Sequence, residues 1–100
     1  MEQNTLQFTG VLEHQCSSRQ SPAGVAHQDI RLLHRSRQMQ AGQMREVKLR
    51  LVVHLAGNLV EQAKAFSLGQ RLRVTGFLAQ ASYRDNEQVV LQAQTIEIQD

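Results

Sequence analysis

The chain has one cysteine, one proline, one tyrosine and no tryptophan among its 100 residues. Cys16 alone cannot close an internal disulfide and supplies no metal-site spacing, which agrees with a reducing compartment. Apolar runs are no longer than Leu51-Val52-Val53, far short of the roughly 20 residues a membrane helix needs. Met1-Glu2-Gln3-Asn4 opens without a cationic-then-apolar signal. A cytoplasmic, nucleoid-associated protein with no membrane partner is therefore expected. There is no phosphate-cradling glycine loop, no carboxylate pair spaced for acid–base work and no base at motif spacing from Cys16. The expectation is a binding protein, not an enzyme, with no cofactor and no metal.

What is present suffices for one core. Apolar residues make up 41% and charged residues 20%, and 100 residues is near the modal domain size, so residues 1–100 read as one domain. The net charge of +2 hides an asymmetry. Between Arg19 and Arg50 seven cations stand against Asp29 and Glu46, a local excess of +5, and the remainder carries −3. Nine of the eleven cations are arginine, whose planar fork suits phosphate and stacks on bases. A polyanionic partner is one reading, and a solvated basic face is the other.

Period-two alternation dominates the chain. Leu6, Phe8 and Leu12 form a first strand around Gly10, a residue that marks a bulge or sharp bend. Ser17 to Gly24 collects Pro22 and the turn formers into a loop of eight residues. Ile30, Leu32 and His34 then alternate with Asp29, Arg31, Leu33 and Arg35. After a turn at Ala41-Gly42, Val47, Leu49, Leu51 and Val53 alternate with Lys48, Arg50, Val52 and His54, so the second and third strands make a long hairpin. Asn58 with Glu61 resembles a capping box, and Leu59, Val60, Ala63 and Phe66 share one face of a helix of about two and a half turns. A fourth strand turns Leu72, Val74 and Leu78 inward and bends at Gly76. A fifth begins with Val89, Leu91 and Ala93, and its phase slips near Gln94-Thr95 before Ile96 and Ile98. Five strands, a helix between the third and fourth, and glycines where a small barrel must bend predict an all-β, five-stranded Greek-key OB-fold barrel.

The same alternation gathers charge. Ile30, Leu32 and His34 face inward, which leaves Arg31, Leu33, Arg35 and Arg37 on the outer face beside Lys48, Arg50, Val52 and His54. Five cations thus share one sheet surface, with Arg35 expected near Lys48. Opposed like charges destabilise a strand pair by about 0.2–1 kcal/mol, and a polyanion relieves that repulsion. On an OB barrel the face of strands two and three, flanked by the loops joining strands one to two and four to five, holds oligonucleotides. Arg19 lies in the first loop, and Tyr83 and Arg84 lie in the second, where Asp85 and Glu87 offset the charge. Phe77 and Tyr83 are the plausible stacking rings. Binding is expected to rest on phosphate neutralisation, with little sequence preference. His14 and Cys16 share a strand face, but His27, His34 and His54 show no partner spacing, so satisfied or exposed histidines are expected.

Asn4-Thr5-Leu6-Gln7-Phe8-Thr9-Gly10, Ser21-Pro22-Ala23-Gly24 with Val25 and His27, His34-Arg35-Ser36, Ala41-Gly42 and Leu68 to Leu78 form a colinear set, which Leu91-Gln92-Ala93-Gln94 and Ile96-Glu97 continue. Together they resemble the bacterial primosomal replication protein N family over nearly the whole chain. The resemblance implies an OB-fold homodimer that binds single-stranded DNA. It further implies partners in replication restart: the primosomal helicase and other primosome or single-stranded DNA-binding proteins. By position, Arg19, Arg35 and Arg84 resemble the family's DNA-contacting residues. Lys48 stands where enterobacterial members have tryptophan, and Ser82 and Val89 stand where they have lysine. The alternative to a DNA-binding subunit is an OB-fold protein-interaction adapter with weak or incidental DNA binding.

Overall fold

The computed structural model describes residues 1–80 and 88–99. Its elements are β1 (Leu6–Gln15), β2 (Arg19–Gln20), β3 (Ala26–Gln40), β4 (Gln43–Ala56), α1 (Asn58–Ala63), β5 (Arg71–Gln80) and β6 (Val89–Gln99). The sheet runs β1-β5-β6-β4-β3-β2, and β1 also pairs with β3, which closes five strands into a ring. β4 and β6 are parallel and every other pair is antiparallel. This is the OB-fold barrel, with the helix between the third and fourth barrel strands.

Phe8, Leu12, Ile30, Leu32, Val53, Leu55, Val60, Ala63, Leu72, Val74, Leu91 and Ile96 form the core. These are the inward positions of the alternating strands, and α1 contributes Val60 and Ala63 at one end. Gly76 is required by packing: a Cβ there would lie 1.9 Å from the Gln92 carbonyl oxygen. The β5–β6 register shifts at this point, Thr75 facing Thr95 and Gly76 facing Ala93, which leaves Gln94 as the extra residue where the phase slip is expected.

Four features depart from the sequence reading. The loop at 17–24 holds a two-residue strand, β2, which pairs Arg19 with His27 and Gln20 with Ala26. The irregularity in β1 falls between Leu12 and His14, not at Gly10, whose Cβ would come within 3.0 Å of Leu32 and Leu33. The helix is shorter than expected and its N-cap is Gly57 with no side-chain cap, so Asn58 and Glu61 do not form a capping box; Glu61 pairs with Lys64 instead. Leu78, Val89 and Ile98 are exposed although the register pairs Leu78 with buried Leu91 and Ile98 with buried Leu72: they stand toward the ends of β5 and β6, where the core runs out, while Val90 is buried on the other phase.

The β3–β4 hairpin pairs without interruption from His27↔Ala56 to Gln40↔Gln43. Ala41 (φ 53°) and Gly42 (φ 77°) turn it, the two positive φ values that match a two-residue turn to the twist of its strands. His34 marks where the inner face runs out of core. Its ring stacks on Phe8 with centroids 4.6 Å apart, its Nδ1 lies 2.7 Å from the Thr9 carbonyl, and its Nε2 lies 2.8 Å from Ser36 Oγ. Beyond it the strands project away from the barrel, consistent with a longest dimension of 50 Å.

Candidate nucleic-acid interface

Odd-numbered residues of β3 and even-numbered residues of β4 point to the outer face, and the register sets them in rows. From the barrel end to the tip these rows are Asp29↔His54, Arg31↔Val52, Leu33↔Arg50, Arg35↔Lys48, Arg37↔Glu46 and Met39↔Met44. The five cations expected on one surface are therefore there, and Arg35 is directly opposite Lys48. Arg35, Arg37 and Lys48, with Ser36, Glu46 and Val47, line a groove of about 390 Å³.

The five are not electrostatically equal. Glu13, at the β1 irregularity, reaches the face and places Oε1 2.9 Å from Arg50 Nε and 3.7 Å from Arg31 Nε. Among the described residues, no carboxylate lies within ion-pair distance of Arg35, Arg37 or Lys48, and Glu46 faces Arg37 across the strands without closing a bridge. The uncompensated positive charge accordingly sits on the projecting half of the hairpin. Arg19 is exposed on β2, opposite His27 at the other end of the face. Tyr83 and Arg84, with Asp85 and Glu87, lie outside the described residues. Phe77 is 38% exposed on β5, opposite Gln92, and is not part of the basic rows.

Two features of the face escape sequence reasoning. Glu13 arrives through the β1 irregularity, which no alternation pattern predicts. His27, Asp29 and His54 form a hydrogen-bonded chain: His54 Nδ1 lies 2.7 Å from Asp29 Oδ1, and His54 Nε2 lies 3.0 Å from His27 Nδ1. The i, i+2 spacing of His27 and Asp29 was the available signal, but their meeting with His54 needs the hairpin register. His14 and Cys16 are both exposed, and among the described residues no group of three or more histidine, cysteine or carboxylate side chains is arranged to hold a metal ion.

Residues 4–95 match the model of a family described as another single-strand binding protein family. Replication restart protein PriB of Actinobacillus succinogenes is 32% identical over 100 residues, covering 98% of this chain and 92% of that protein. Its counterpart in Shewanella pealeana is 34% identical over 102 residues, covering 98% of both. The chain belongs to the PriB family of single-strand binding proteins. Among solved structures, PriB from Ralstonia solanacearum superposes with a TM-score of 0.87 at 25% identity, covering 99% of this chain and all of that one. A Plasmodium falciparum single-strand binding protein, solved in complex with single-stranded DNA, shares the fold with a TM-score of 0.77 at 12% identity, covering 100% of this chain and 97% of that one. Family membership confirms the resemblance carried by the strand motifs.

Proposed function

We propose that this protein is a non-enzymatic single-stranded DNA-binding accessory of replication restart. It takes DNA across the outer face of β3 and β4 and assists primosome assembly with the restart helicase. The observation that carries the reading is the Arg35–Lys48 row. Two like charges are held directly opposite each other on a projecting hairpin, with no described carboxylate within ion-pair distance of either, an arrangement that a polyanion stabilises. Arg37 extends the row toward the tip and Arg19 flanks the face from β2; Arg31 and Arg50 join when DNA competes with Glu13. Arg84 and Tyr83 are proposed as secondary contacts on the positional resemblance. The protein acts as a homodimer, which sets two such faces along one DNA strand.

Titration of a rhodamine-labelled oligothymidylate by fluorescence anisotropy, at low and high salt, tests this reading. Micromolar or tighter binding that weakens steeply with salt supports it. Two observations favour a second reading, a protein-interaction adapter: Glu13 compensates two of the five cations, and exposed Met39 and Met44 form the last outward row before the hairpin turn. Salt-insensitive or undetectable DNA binding would select the adapter.

A further inference from the structure

We infer that the chain Asp29–His54–His27, with Arg19 beside it, is a phosphate seat at the barrel end of the DNA face, and that it takes up one proton when a DNA phosphate occupies it. This inference rests on the single-stranded DNA reading of the same face.

The geometry dictates the proton count. An ionised carboxylate only accepts, so Asp29 Oδ1 at 2.7 Å requires a proton on His54 Nδ1. One proton then lies between His54 Nε2 and His27 Nδ1, 3.0 Å apart. With both rings neutral, His27 Nδ1–H donates to His54 Nε2, and His27 Nε2 is a bare acceptor that repels an anion. A proton added at His27 Nε2 preserves both internal bonds and converts that nitrogen into a charge-assisted donor, the kind of donor that phosphate oxygens take best. A second added proton would set two N–H groups against each other across 3.0 Å and break the pair. The intact chain therefore takes up one proton and no more. Histidine is the side chain that makes this exchange near neutral pH.

The surroundings couple the proton to an anion. From β2, Arg19 stands directly opposite His27; from β3, Arg31 is the next cation along the face. From β1, His14 faces Arg31, and Glu13 is engaged with Arg50 and Arg31. β6 presents uncharged Gln92 opposite His54, and on the α1 side Glu61 and Lys64 pair with each other. Arg19 and Arg31 bring positive charge to the same face as His27, and a phosphate between Arg19 and His27 offsets both that charge and the added proton, so anion and proton bind together. The seat is in line with the track: eight residues of β3 separate His27 from Arg35, about 27 Å at ~3.4 Å per residue.

Isothermal titration calorimetry of an unlabelled 20-nucleotide oligothymidylate into the full chain tests this. The titration is run at pH 7 and fixed ionic strength in PIPES, MOPS and imidazole, whose ionisation enthalpies differ. The dependence of the heat on the buffer counts protons, and we expect uptake of up to one per occupied seat. Anisotropy should show affinity falling between pH 6 and pH 8 by at least about twofold and by no more than about a hundredfold, the limit that one linked proton sets over two pH units. His27→Gln should abolish uptake and bind at pH 6 as weakly as the parent binds at pH 8. His27→Lys should abolish uptake yet keep the pH 6 affinity at pH 8, a rescue that a merely structural histidine would not allow, and it decides the matter if His27→Gln is poorly folded. His14→Gln should keep the uptake. DNA binding without proton uptake from pH 6 to pH 8, or uptake surviving in His27→Gln, overturns the seat alone. Absence of DNA binding at every pH overturns the DNA reading and the seat with it.

Discussion

Glu13 Oε1 lies 2.9 Å from Arg50 Nε, so a residue of β1 compensates a cation of β4 across the intervening β3. Arg31 shares the same carboxylate at 3.7 Å. Both arginines are about half exposed at the side chain, and an ion pair in that setting contributes little to stability, about 0–1 kcal/mol. Its larger effect is on what the face can bind. Glu13→Gln should tighten single-stranded DNA binding by about two- to fivefold and steepen the log–log salt slope by up to about 0.7, one further phosphate, with little change in melting temperature. Unaltered affinity in an anisotropy titration would mean that Arg31 and Arg50 take no part.

That pair also marks how far the sequence could be read. The strand phases of Ile30, Leu32 and Val53 follow from alternation, and so does the Arg35–Lys48 row once the turn is placed at Ala41-Gly42, because a two-residue turn fixes the register of everything beyond it. Glu13 was not legible, since the β1 irregularity between Leu12 and His14 moves one residue out of phase. His54 was readable as an outward residue but not as the partner of both Asp29 and His27, a contact set by tertiary register and side-chain reach. Leu78 and Val89 keep the inward phase that alternation gives them, Leu78 opposite buried Leu91, but they stand where β5 ends and β6 begins, and alternation does not tell how far along a strand the core extends.

DNA binding should be strongly salt-dependent and nearly blind to sequence. Cations on the outer face outnumber exposed rings, so phosphate neutralisation dominates. With about three to five phosphates engaged, the log–log slope should be roughly −2 to −3.5, near −0.7 per phosphate. A flat salt response, or a marked preference for one base composition among oligonucleotides of equal length, would count against this face.

Gly76→Ala should destabilise the fold without touching the basic rows. The added Cβ would meet the Gln92 carbonyl oxygen, a backbone atom held in the β5–β6 ladder, so the strands must separate locally. Overpacking of this kind costs about 1–3 kcal/mol, and a conflict with backbone belongs at the upper end. Urea denaturation monitored by far-ultraviolet circular dichroism measures it, and an unchanged midpoint would show that the bulge yields freely.

The proposed homodimer has a physical motive in the apolar side chains that β5 and β6 leave exposed, among them Phe77, Leu78, Val89 and Ile98. A second copy covering part of this surface removes apolar area from water. Sedimentation at micromolar concentration should give about twice the 11.3 kDa chain mass. A mass near that of one chain throughout the range would exclude the dimer, and with it a DNA strand shared between two faces.

The sharpest test of the hairpin is the double substitution Arg35→Ala with Lys48→Ala. Both side chains are exposed and neither pairs with a described carboxylate, so their removal leaves no buried charge behind. It also relieves a cross-strand repulsion of about 0.2–1 kcal/mol, so thermal stability should hold or rise slightly. DNA affinity should fall at least about tenfold, or 1.4 kcal/mol, and the salt slope should flatten by about 1.4, since two phosphates lose their partners at ~0.7 each. Arg84→Ala should matter less, because Asp85 and Glu87 adjoin it in the sequence. If Arg84→Ala weakens binding more than the double substitution does, the principal DNA contact lies in the loop between β5 and β6, and the Arg35–Lys48 row is a solvated surface.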